Sequence, residues 1–140
     1  MPRKIIPDVI SKRHALYVAG DAPVIEAARL MQKHDVGAVL IEEGDSLQGI
    51  LTVNDMACRV IAEDRDPKTT SAKEVMTPDP DTVTADTTAI EALRLMHDGG
   101  YRHLPVVESG QVLGVVSRRD FYGVEKARLD DETALWERIG

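Results

Sequence analysis

A hydroxyl followed three residues later by a carboxylate occurs twice in this chain: Thr52 and Asp55 in "GILTVND" (residues 49–55), Ser117 and Asp120 in "GVVSRRD" (residues 114–120). At a helix start, a hydroxyl and unsatisfied N–H groups form an anion site of the kind that takes phosphate. A carboxylate repels phosphate, but it accepts two hydrogen bonds from a vicinal diol such as ribose. The pair is therefore chemically suited to clamp a nucleotide, and Gly49 and Gly114 would let such a ligand approach the backbone closely. The plainer reading is a helix start, with Thr52 and Ser117 as N-caps and the acid three residues on closing a capping box. Spacing alone leaves both readings open.

The two copies differ in charge. Arg118 and Arg119 lie inside the second phrase, and Arg102 and His103 precede its partner strand; the matching positions of the first copy are Val53, Asn54, Gly37 and Ala38. Guanidinium groups grip phosphate bidentately, so the second copy should favour polyanionic ligands. The first, with Asn54 as a donor for a neutral or weakly charged ligand, reads as weaker or empty. Solvated charge is the bland alternative for the arginines and His103.

These residues need elements to position them, and the elements repeat. Adding 65 to Asp21, Ile25, Glu26, Ala27, Arg29, Leu30, Met31, Gly49 and Asp55 reaches an identical residue each time, without a gap. Each copy opens on a short β-like run ("LYV", "DTVT"), with Asp21 or Asp86 as the expected N-cap of a helix. Apolar residues then recur at Val24, Ala27, Ala28 and Met31, and at Ala89, Ala92, Leu93 and Met96, one face of an amphipathic helix. Two apolar β-rich runs separated by turn residues follow, "VGAVLIE" to "GIL" and "HLPVVE" to "VLGVV". A second helix starts at the hydroxyl, as "VNDMACRVIAE" or "RRDFYGVEKARL". The order is β-α-β-β-α twice, a mixed α/β (α+β) class, with the polar "EDRDPKTTSAKE" between the copies. One such unit has too few large apolar side chains to cover its sheet, so the two are expected to pack together.

Composition narrows the function. With a net charge of −7 and a pI near 5.0, broad contact with nucleic acid or an anionic membrane is disfavoured. No stretch approaches the ~20 apolar residues of a membrane span, and Pro7 and Asp8 interrupt any signal-like start, so a cytoplasmic protein is expected. Cys58 is the single cysteine, and its apolar run "MACRVIA" suggests a small buried residue. No nucleophile with a base, metal cluster or paired carboxylates emerges, and His14, His34, His97 and His103 lack ligand spacing. The expectation is no enzyme, no metal and no required cofactor.

The repeat resembles a tandem pair of CBS domains, the modules named after cystathionine β-synthase. The resemblance is carried by "APVIEAARLMQKHDVGAVLIEEGDSLQGILTVNDM" and by "VMTPDPDTVTADTTAIEALRLMHDGGYRHLPVVESGQVLGVVSRRDF". It implies CBS domain 1 over residues 10–65, a polar linker over 66–74, CBS domain 2 over 75–129 and a helical tail over 130–140 containing Trp136. It further implies a pseudo-twofold pair whose cleft takes adenosine derivatives: AMP, ADP or ATP, with NAD(H) or S-adenosylmethionine as alternatives. By the family's pattern, Asp55 and Asp120 would hold ribose, and Thr52 and Ser117 phosphate or ribose. Backbone of the opening strand at Thr82 and of the "HLPV" strand would meet the base, which nominates the stretch of Tyr101, Arg102, His103, Leu104 and Pro105 as site residues, with His103 also within the reach of phosphate. "VMTP" has no counterpart ahead of the first copy, which weakens the carry-over there. The implied role is a regulatory sensor acting on another protein, assembled as a homodimer through "DMACRVIA" and "DFYGVEKARL". A ligand-free structural or interaction module is the competing reading.

Overall fold

The structure, a computed structural model, describes residues 3–9 and 15–121. The expected helix beyond Phe121, the tail with Trp136 and the place of His14 lie outside the described residues. The chain forms two compact units, one of residues 15–80 and one of residues 3–9 with 81–121. Each has its own core and its own sheet, in a mixed α+β arrangement.

In the first unit β1 (Tyr17–Ala19) leads to α1 (Val24–His34), β2 (Ala38–Glu43) and β3 (Ser46–Thr52). Helix α2 begins at Val53–Asp55 and continues as a wider turn over Met56–Ile61. The sheet runs β1-β2-β3-β4, parallel between the first two strands and antiparallel thereafter. The fourth strand, β4 (Thr77–Pro78), comes from "VMTP", read in sequence as the opening of the second copy. It follows the short helix α3 (Ala72–Val75) and pairs Ile50 with Thr77 and Gly49 with Pro78.

The second unit contains α4 (Ala89–Gly99), β5 (His103–Glu108) and β6 (Gln111–Ser117), with a tight turn at Arg118–Asp120. The periodic stripes face the cores as the 3.6-residue period requires: Val24, Ala27 and Met31 are buried in one helix, where Ala28 at the edge of the stripe is only half-buried, and Ala89, Ala92, Leu93 and Met96 in the other. Even the irregularities repeat, with register shifts after Ile41 and, 65 residues later, after Val106. The β5–β6 hairpin turns through Ser109 and Gly110, both at positive φ (52° and 79°), as a two-residue hairpin loop demands.

The helix caps differ from the expectation. Asp21 and Asp86 do not cap; the N-cap residues are Pro23 and Thr88, two positions later. Thr88 builds a full capping box with Glu91, whereas Pro23 has no capping side chain. Backbone from the linker compensates there, since Val24 N–H donates to the Thr70 carbonyl and Ile25 N–H to that of Pro67. Asp86 instead pairs with Lys4 at 3.3 Å.

The segment preceding each copy is hydrogen-bonded to the other copy's unit. Ile5 N–H donates to Thr87 O and Ile6 N–H to Ala85 O, while Ala72 N–H donates to Ala22 O and Lys73 N–H to Gly20 O. The acceptors are 65 residues apart and the donors 67 (5 to 72, 6 to 73), so the same ladder is built twice. Ile5 and Ala72 are both fully buried by it.

Candidate functional site

In the second unit the sequence-selected residues gather at one end of the β5–β6 ladder. His103 and Ser117 are cross-strand partners, and Arg118 N–H closes the ladder on the Arg102 carbonyl at 2.8 Å. One turn on, Asp120 Oδ2 accepts from Ser117 N–H at 2.7 Å. Burial holds the His103 imidazole below its ordinary pKa; Arg119 adds to this, Asp120 opposes it and Arg102 adds again. Hydroxyl, carboxylate, imidazole and guanidinium groups thus share one small region, with Arg102 and Arg119 exposed and Ser117, Arg118 and Asp120 half-buried.

The opening segment lies along the opposite edge of β5. Val83 bridges Val106 in parallel, its N–H donating to Pro105 O while its own carbonyl accepts from Val107 N–H. Thr82, exposed, stands just before that bridge. Leu104 and Pro105 are buried core positions, which leaves their backbone rather than their side chains for any ligand. The Tyr101 hydroxyl donates to Asp81 Oδ2 at 2.5 Å. Burial first, then that bond and the charges of Asp81 and Asp98, push its pKa up to about 12.

Proline 105 explains why this opening segment is shorter than β1. Its equivalent, Leu40, donates its N–H to the Leu16 carbonyl at 2.8 Å and extends the parallel ladder. Proline has no N–H, so the corresponding bond to the carbonyl of Asp81 cannot form. The Tyr101–Asp81 hydrogen bond ties the same two elements by side chains instead. Asp81 was not singled out by sequence, because a partner twenty positions from Tyr101 leaves no local signal.

In the first unit the capping box is complete. Thr52 Oγ1 accepts from Asp55 N–H at 3.2 Å, and Asp55 Oδ2 accepts from Thr52 N–H at 3.0 Å. Asp55 is 7% exposed, and its other oxygen faces Arg59 Nε at 3.8 Å. Asn54 is exposed and within weak hydrogen-bonding range of Cys58. Cys58 is itself exposed, contrary to the expectation of a buried residue, because Val60 takes the inward position of this helix. Gly49 also has a different role from the expected one. A Cβ there would lie 2.5 Å from Met76 Sδ and 2.7 Å from the Thr77 carbonyl, so the glycine admits the β4 segment rather than a ligand. Arg59 was missed as well, although its place four residues after Asp55 was a legible signal.

The CBS domain family model matches residues 7–61 and again residues 72–125. The chain belongs to the CBS domain family. It carries the domain twice, as a tandem pair. CBS domain-containing protein CBSCBSPB3 of Arabidopsis thaliana is 41% identical over 91 residues, which is 65% of this chain and 16% of that protein. The chain therefore spans only about a sixth of the length of that curated relative. A protein with CBS domains from Burkholderia ambifaria has a similar structure, with a TM-score of 0.76 and 34% identity, covering 79% of this chain and 81% of that one. CBS domain protein PAE2072 from Pyrobaculum aerophilum, complexed with AMP, shares the fold at a TM-score of 0.74 and 24% identity, covering 87% and 94%. Among the described residues, no helix is long and apolar enough to cross a membrane, and no cluster of His, Cys, Asp and Glu is suited to a metal.

Proposed function

We propose that this CBS pair is a cytoplasmic regulatory module that binds an adenosine nucleotide (AMP, ADP or ATP) at the motif of its second copy and passes occupancy to a partner protein. The observation that carries this reading is the grouping of Ser117 and Asp120 with His103 and three arginines at one end of β5–β6. Phosphate would meet the Ser117 hydroxyl and the guanidinium groups, the ribose diol would meet Asp120, and the base would lie toward Thr82, Tyr101 and the backbone of Leu104 and Pro105. The AMP held by the Pyrobaculum protein supports the ligand class. No catalytic chemistry is needed for this role, because a ligand that binds one conformation better shifts the population, and a partner that prefers that conformation senses it. Exposed Val53 and Ile61, at 56% and 76%, lie two helical turns apart on α2 and support assembly as a homodimer through that helix.

A second reading has its own observation. Asp55 and Asp120 both accept their own cap N–H groups, as a ligand-free scaffold would require. Thermal unfolding with AMP, ADP, ATP, NAD(H) and S-adenosylmethionine separates the two. Ligand at ~100 times its dissociation constant stabilises by about 2.7 kcal/mol, or roughly 5 to 10 °C for a chain of this size. A shift that Asp120→Ala removes and Asp55→Ala largely preserves is the expected result. Absence of a shift with every ligand, in protein verified to be empty, would leave the scaffold reading.

A further inference from the structure

The repeated motif is flanked differently in its two copies. Arg59, one helical turn after Asp55, directs Nη1 to the carbonyls of Val75 at 3.1 Å and Met76 at 2.9 Å while Nε faces Asp55 Oδ1 at 3.8 Å. The guanidinium thereby links the motif carboxylate to the end of α3, the segment that runs into β4 and fills the space above Gly49. Both oxygens of Asp55 are engaged, Oδ2 by the Thr52 N–H and Oδ1 by the arginine charge. A buried carboxylate needs such a counter-charge, and a diol seeking the same oxygens must displace it. In the second copy the position equivalent to Arg59 is Val124, whose side chain has no donor.

We propose that Arg59 is the specificity-determining residue that closes the first motif to ribose, holding Asp55 as the anchor of the 75–78 segment rather than as a diol acceptor. This rests on reading the motif as a nucleoside clamp and assigns the clamp to the second copy alone. The first copy keeps the motif's residues but uses them to hold the 75–78 segment. Its chemistry becomes available when the arginine is removed.

Titration calorimetry with AMP and with adenosine on the full chain tests this, using Asp120→Asn as the background in which only the first motif can respond. Arg59→Val, which installs the second copy's residue, should tighten binding there by about tenfold, the worth of one hydrogen bond to a charged group. Arg59→Lys, which keeps a cation beside Asp55, should stay weak. Adding Asp55→Asn to the valine variant should erase the gain. Should Arg59→Val fail to fold for want of donors to the Val75 and Met76 carbonyls, Arg59→Gln supplies an amide donor without the charge and carries the same expectation. No gain in a folded variant, or a gain that survives Asp55→Asn, overturns the proposal. If the wild type shows no Asp120-dependent binding while the Arg59 variants gain it through Asp55, the nucleotide site in the second copy fails and the role of Arg59 stands. If no variant binds either probe, both fall.

Discussion

His103 is where the chemistry of the second motif is most open to measurement. Its folded pKa lies below the ordinary value of 6.5, chiefly through burial. The unfolded chain therefore binds the proton more readily, and stability rises with pH through the window below about 6.5. Urea denaturation between pH 5 and pH 7 should show that rise, and His103→Gln should flatten it. A bound phosphate reverses the preference, because an anion favours the imidazolium. Nucleotide binding should then take up a proton and tighten as pH falls from 7.5 to 6, a dependence that calorimetry in buffers of different ionisation enthalpy would detect and that His103→Gln would remove. Reading His103, Arg102 and the motif from sequence was possible because they occupy fixed offsets in a repeat. The balance between Arg119 and Asp120 around the imidazole was not legible, since it depends on distances across two strands and a turn.

At the scale of elements, the close approach of β4 to β3 decides how the segment that follows α3 is held. Gly49→Ala places a methyl against the Thr77 carbonyl as well as against Met76. The thioether can move but the backbone cannot without breaking the Ile50–Thr77 pairing. The substitution should cost about 1–3 kcal/mol in chemical denaturation, and the cost should fall on Asp79 N–H exchange, whose acceptor is the Gln48 carbonyl. Sequence marked Gly49 through its recurrence but supplied the wrong neighbour, a ligand, because "VMTP" reads as the opening of the second copy and its residue types carry no sign of the strand it joins. The contrast between Leu40 and Pro105 is a case in which one residue type does predict an element. A missing N–H shortens the opening ladder of the second unit, and that follows from covalent chemistry once the register is known.

For the whole molecule, the segments that precede each copy matter more than their length suggests. Ile5 is fully buried in the core with Leu93, Leu104 and Phe121, far from it in sequence. Ile5→Ala should destabilise by about 2–5 kcal/mol, and hydrogen exchange should quicken at the amides of Ala89 and its helix. The amides of β2 and β3 should be protected as before, since the first unit has a separate core. Equal acceleration in both units would contradict this assignment of Ile5.

What the sequence determined by itself was whatever depends on local period and composition: the repeat, the amphipathic stripes of α1 and α4, both hairpins and the residues of both motifs. Side-chain spacing of 3.6 or 2 is written along the chain, so burial of Met31 or Met96 is readable without coordinates. Tertiary structure alone decided which segment lies against which sheet, and with it the helix caps, the neighbour of Gly49, the exposure of Cys58 and the hold of Arg59 on Val75 and Met76. Those outcomes depend on backbone donors and acceptors finding partners far along the chain. Every residue but proline carries the same pair of backbone groups, so residue identities cannot announce which will meet.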